Sequence, residues 1–140
     1  MIVLAVDASS GAEAAARRAV DLAGKLGTAI HAVHAVHIPS TVYAAMGAVP
    51  DASVEIARLE REAVWDRIGP ILEGVDWEQV DIEGYPPDAV ADYAAANDAE
   101  MIVVGSRGRG AVASLVLGST SHRLIHIAKT DLLVVKEAAE

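Results

Sequence analysis

Between positions 105 and 119 the chain reads Gly-Ser-Arg-Gly-Arg-Gly-Ala-Val-Ala-Ser-Leu-Val-Leu-Gly-Ser, a Gly105-x-x-Gly108 pair followed after nine residues by Gly118-Ser119. Glycines let a backbone pass close to a phosphate, and a serine that opens a helix aims unbonded N–H groups at an anion. Arg107 and Arg109 add guanidinium groups able to make charge-assisted bonds to phosphate oxygens. On this reading a Cβ at Gly118 stands in the phosphate's place. A second small, polar turn, Asp7-Ala8-Ser9-Ser10-Gly11, lies near the start of the chain. The chemistry both turns suit is the holding of a phosphate-bearing small molecule.

Two commoner phosphate motifs fail. Gly105 and Gly110 have the outer spacing of a P-loop, but Ala111 and Val112 stand where its lysine and hydroxyl residue must be. Gly108-x-Gly110-x-x-Ala113 imitates the dinucleotide fingerprint, yet no acid ends a following strand. No histidine or glutamate lies in either glycine turn to activate a water, so the sequence offers no catalytic residue there.

Other chemistry-bearing residues read as structural. On a strand, His34 points away from His31 and His37, which lie roughly 20 Å apart at about 3.3 Å per residue, so the three hold no common metal ion. His122 and His126, at i and i+4 of a helix, read as two surface histidines. Asp76, Glu78, Asp81 and Glu83 read as the wet face of a strand. With no cysteine, disulfides, thiolate metal sites and cysteine nucleophiles are excluded.

These residues need a scaffold, and the hydrophobic pattern supplies one. Residues 2–6 and 101–104 are continuous apolar runs, the mark of strands buried on both faces. Residues 28–36 and 132–135 read as two more strands, and Val80 and Ile82 alternate with acids in a half-exposed one. Helices fill the intervals. One opens at Ser10, with Glu13 at capping-box spacing, and stops at Gly27; one spans residues 53–72, with Pro70 distorting its last turn; one starts at Pro87; one starts at Ser119. Residues 38–50 read as a mildly apolar loop. The βαβαβαβαβ order predicts a single α/β domain over residues 1–140, a Rossmann-like open sheet of five parallel strands in order 3-2-1-4-5 with helices on both faces. In such sheets ligands sit beyond the carboxyl ends of the strands, where the strand order reverses, and the first and fourth strands bring both glycine turns to that place.

At 140 residues and 53% hydrophobic, the chain suffices for one two-faced core. The net charge of -9 argues against nucleic-acid polymers and anionic membranes as partners, since both are bound through clustered cations. It leaves a mononucleotide open, because backbone N–H groups hold phosphate without net positive charge. No apolar run approaches the length of a signal or membrane-spanning segment, and the expected location is the cytoplasm.

With these motifs in hand the chain resembles the universal stress protein family, specifically its nucleotide-binding branch. The Gly105-x-x-Gly108, nine-residue, Gly118-Ser119 pattern matches that branch's signature at every fixed position. The likeness runs from Val3-Leu-Ala-Val-Asp7 through His34-Ala-Val to Leu132-Leu-Val-Val135, with Lys129-Thr130-Asp131 replacing the family's proline-bearing entry to the last strand. The resemblance implies a binder of ATP, with or without magnesium, with AMP, ADP and cyclic AMP as further candidate ligands. It implies a stress-linked or regulatory role with little or no hydrolysis, against the alternatives of a slow ATP hydrolase or an interaction module with an empty pocket. By the same resemblance Asp7 approaches the ribose or a phosphate-bound magnesium, Ala35 offers its backbone to the adenine edge, and Gly105 lies against the ribose. Gly108, Gly118, Ser119 and Thr120 then hold phosphates, with Arg107 at a variable position beside them. The last strand, Leu132, Leu133, Val134 and Val135, carries charge only at its ends, and an unprotected apolar edge invites a second copy, so a homodimer through this strand is expected.

Overall fold

Alternate residues of the first apolar run enter two separate cores. In the computed structural model of the chain, which describes residues 1–37, 50–108 and 117–137, strand β1 (Ile2–Ala5) is buried along its whole length. Ile2, Leu4 and Val6 pack with helix α1 (Ser10–Leu26) and with Val64, Ile68 and Leu72 of α2 (Pro50–Leu72). Val3 and Ala5 pack on the opposite side with Val90 and Ala94 of α3 (Pro86–Ala96) and Leu124 of α4 (Ser119–Ile127). Each fully buried Leu or Ile contributes roughly 1.5–3 kcal/mol relative to an exposed one. The face that α1 buries is a stripe of Ala12, Ala15, Ala16, Ala19 and Ala23, whose short side chains let it lie close on the sheet.

Around β1 stand β2 (Ile30–Val36), β3 (Trp77–Glu83), β4 (Met101–Gly105) and β5 (Asp131–Val135), all parallel, in the order β3-β2-β1-β4-β5. The expected fold class is the observed one. β5 pairs with β4 in unbroken register from Met101 opposite Asp131 to Gly105 opposite Val135, so Lys129-Thr130-Asp131 serves the strand entry without a proline. No described helix is long and apolar enough to cross a membrane.

Two boundaries differ from expectation. The N-cap of α1 is Ser9, whose Oγ accepts the Ala12 N–H at 3.1 Å, and Ser10 is the first helical residue. Glu13 therefore sits one position too late for a capping box; it accepts instead from Arg67 Nε at 2.7 Å, and Arg67 also donates to the Ala8 carbonyl at 2.5 Å, which ties α2 to the β1 turn. α2 begins at Pro50 rather than Ser53 and continues past Pro70 to Leu72. Pro87 stands in the first turn of α3 as expected, preceded there by Pro86, and a missing N–H goes unneeded at both positions. The loop expected before α2 falls largely on residues 38–49, outside the described residues.

Two glycines join the β1 turn to the end of β4. A Cβ on Gly11 would run into the Arg107 carbonyl oxygen, and one on Gly105 would lie 2.6 Å from the Gly11 carbonyl oxygen. Backbone stands on both sides of each contact, so nothing flexible can give way. Gly11→Ala and Gly105→Ala are each expected to cost about 2 kcal/mol in chemical denaturation. Gly24, on the exposed side of α1 with open space around its Cα, provides the contrast. Gly24→Ala should raise stability by about 0.5–1 kcal/mol through helix propensity alone.

Candidate functional site

β1 and β4 both end at the place where the strand order reverses, and a cleft of about 300 Å³ opens there. Its wall contains all eight residues singled out from the sequence: Asp7, Ala35, Gly105, Arg107, Gly108, Gly118, Ser119 and Thr120. Arg109 and the spacer through residue 116 lie outside the described residues.

The two halves of the glycine motif are pinned together through one carbonyl. Ser106 N–H donates to the Val135 carbonyl at 2.8 Å, which fixes the loop to the end of β5. The Ser106 carbonyl accepts from Gly118 N–H at 2.6 Å and from Ser121 Oγ at 3.0 Å, while that hydroxyl also reaches the Gly118 carbonyl at 3.1 Å. Ser106 and Ser121 are both buried. They hold Gly108 beside Gly118 and were not foreseen, since a serine inside Gly-x-x-Gly or in a helix's first turn carries no distinctive spacing.

Gly118 is the N-cap residue of α4 and provides no side-chain cap, so among the described residues the first-turn N–H groups of Ser119 and Thr120 are uncapped at the cleft wall. A helix start of this kind attracts anions through its unbonded N–H groups and its dipole. The glycine itself also makes room for the loop: its Cβ position lies 3.2 Å from Arg107 Cα and 3.4 Å from Gly108 N. At Gly108 the Cβ position lies 2.6 Å from Asp7 Oδ2, so this glycine makes room for the Asp7 carboxylate. Asp7 is oriented by its own turn: its Oδ1 accepts Ser9 N–H at 3.1 Å and the Ser9 hydroxyl.

The other end of the cleft, at β2 and α2, is lined by His34, Ala35 and Glu60. His34 lies directly across the β2–β3 ladder from Asp81. Its ring is 1% exposed, meets Trp65 edge to face at 6.4 Å, and places Nδ1 3.4 Å from Asp81 Oδ1. The same oxygen accepts Trp65 Nε1–H at 2.9 Å, and Asp81 Oδ2 accepts Gln79 Nε2–H at 2.9 Å. Asp81 is thus more than part of a wet strand face. Partial burial pushes its carboxyl upward, but the bonds from Gln79, Trp65 and His34 outweigh that and hold it below the ordinary value. The remaining histidines lie elsewhere. His31 Nδ1 is 2.8 Å from the Tyr93 hydroxyl and His37 packs on Tyr85, both on the α3 side opposite His34, while His122 and His126 are exposed with ring centroids 5.0 Å apart.

A five-stranded parallel sheet with a cleft at its reversal point, walled by glycine turns and a helix start, places the chain among the doubly wound α/β domains. The match of residues 1–136 to the family model described as "Universal stress protein family" is more specific, and the chain belongs to that family. A universal stress protein of Thermus aquaticus is 35% identical over 136 residues, covering 96% of this chain and 97% of that one. One of Mycobacterium tuberculosis is 28% identical over 143 residues, and the chain spans only 45% of its length. Among solved structures, the Archaeoglobus fulgidus universal stress protein in complex with dAMP superposes with a TM-score of 0.71 at 26% identity, with 96% of each chain covered. A universal stress protein in complex with cAMP gives a TM-score of 0.67 at 26% identity, with 96% of this chain and 94% of that one covered.

A depressed carboxyl stabilises the fold above its unfolded value and ceases to do so as pH falls through its folded value. The stability advantage of the native protein over Asp81→Asn should accordingly be constant at neutral pH and shrink below about pH 4. Denaturation midpoints of both proteins across pH 3–7 check this; a difference that stays constant to pH 3 would show that the bonds to Asp81 do not favour its ionised form.

Proposed function

We propose that this protein binds an adenine nucleotide, ATP foremost, in the cleft between the two glycine turns and serves a stress-linked or regulatory role in the cytoplasm with little or no hydrolysis. The observation that carries the reading is the convergence of Gly108, the uncapped start of α4 and Asp7 on one wall of a cleft whose other end is β2. The phosphates lie against Gly108, Gly118 and the N–H groups of Ser119 and Thr120, with Arg107 adding charge. Asp7 takes the ribose hydroxyls or a phosphate-bound magnesium, Gly105 lies under the ribose, and the Ala35 backbone meets the adenine edge. The complexes of two relatives with dAMP and cAMP support an adenine ligand.

Calorimetry with ATP and ADP tests the assignment, alongside native mass spectrometry of gently purified protein for a retained nucleotide. Gly108→Val pushes a branched side chain onto the Asp7 carboxylate and is expected to weaken ATP binding at least tenfold, about 1.4 kcal/mol or more. Unchanged affinity in a variant whose circular dichroism is native would remove the glycine turn from the site.

The same protein pairs through β5, the edge strand beyond β4. Leu133 and Val135 pack toward one core and Leu132 and Val134 toward the other, yet all four remain partly exposed. The Val135 carbonyl bonds the Ser106 N–H on the β4 side, so by the alternation of a parallel strand Val134 directs its N–H outward. Two copies meeting antiparallel would satisfy those outward groups. Light scattering at micromolar concentration should find a dimer, and Val134→Pro, which deletes an outward donor, should give monomers or aggregates. A monomeric native protein would defeat the pairing.

A further inference from the structure

Among the described residues His34 Nε2 is a buried polar atom with no hydrogen-bond partner, and it belongs to a side chain in the cleft wall. Buried ring nitrogens are normally satisfied, so an orphan at a ligand cleft calls for a partner that arrives with the ligand. The Asp81 carboxylate already accepts from Trp65 and Gln79 and can only accept again, so His34 Nδ1 donates to it. A ring with a single proton therefore holds it at Nδ1, which leaves the lone pair at Nε2 and makes that atom an acceptor. Glu60 Oε1, also an acceptor, lies 3.8 Å from Nε2. Glu60 is a partly exposed residue of α2 whose carboxylate has no hydrogen bond among the described residues, and it lines the cleft together with His34.

Two acceptors at this separation await one donor nitrogen. An amino group about 2.9 Å from each, admitted by a small swing of the Glu60 side chain, would satisfy both at once. A carbonyl oxygen in the same place would face two lone-pair-bearing atoms and satisfy neither. The position fits the base end of a nucleotide, because β2 lies two strand spacings, about 10 Å, from the β4 end where the phosphates sit.

Resting on the nucleotide-binding reading above, we infer that His34 Nε2 and Glu60 select the base by its exocyclic amino group, so that 6-aminopurine nucleotides are taken and 6-oxopurine nucleotides refused. Asp81 acts here as a positioning residue that fixes the tautomer of His34. ATP and ITP share ribose and triphosphate and differ only at position 6 and in the proton that the 6-oxo base carries on N1, which makes them the probes. Calorimetry on the full chain should show ATP binding at least about tenfold tighter than ITP, as expected of a site built around hydrogen bonds to the group that distinguishes them. His34→Leu, which removes the acceptor, and Glu60→Gln, which supplies a donor for the 6-oxygen, should each bring the ATP-to-ITP ratio below about threefold while ITP still binds. The Glu60 variant, at a partly exposed position, decides the matter if His34→Leu does not fold. Equal binding of the two nucleotides by the native protein, a preference for ITP, or an unchanged ratio in the folded variants overturns the inference and leaves nucleotide binding standing. Failure of both nucleotides to bind overturns the nucleotide reading and this one with it.

Discussion

Two stretches of backbone cross without a side chain between them where β1 and β4 end, and the spacing of the cleft depends on that crossing. Gly11 lies under the Arg107 carbonyl, and Gly105 against the carbonyl of Gly11. The contact draws the first turn of α1 against the β4 loop, so the Ser9–Asp7 turn and the Gly108 loop form one continuous wall. Ser106 carries the constraint onward: its N–H is bound to β5 and its carbonyl to Gly118 and Ser121, which locates the start of α4. Arg67 acts from the other side, holding Ala8 and Glu13 to α2. The residues that line the phosphate end are thus placed by backbone contacts and buried serines that themselves need touch no ligand.

The β-strands announced themselves because burial on both faces leaves continuous apolar runs, and residues 2–6 and 101–104 could be little else. The strand order followed from the alternation of elements and the handedness of crossovers, and the glycine motif was legible because its spacing is long and fixed. What the chain concealed were choices between near-equals. Ser9 and Ser10 are both good caps, and only the β/extended backbone at Ser9 decides between them. Gly118 carries no mark in the sequence that says whether its missing Cβ makes room for a ligand or for Arg107. The pairing of His34 with Asp81 needs the exact register of β2 on β3, which depends on the β3 residues from Trp77 onward and on no local signal.

An acidic protein that is proposed to bind an anion seems contradictory only if charge is counted over the whole surface. The cleft is polarised along its length. At the β4 end stand Arg107 and the uncapped N–H groups of α4, whose partial positive charge derives from peptide dipoles and adds nothing to the net charge of -9. At the β2 end stand Glu60 and His34, the latter backed by Asp81, and the two carboxylates repel a phosphate. A free phosphate or a polyphosphate suits only the first end, and a neutral base only the second. A ligand anionic at one end and bearing N–H donors about 10 Å away suits both, at two strand spacings across the sheet. Because the chain reverses its strand order between β1 and β4, these opposite ends open into one cleft, and the direction in which the proposed nucleotide would lie follows from the sheet's topology rather than from any single side chain.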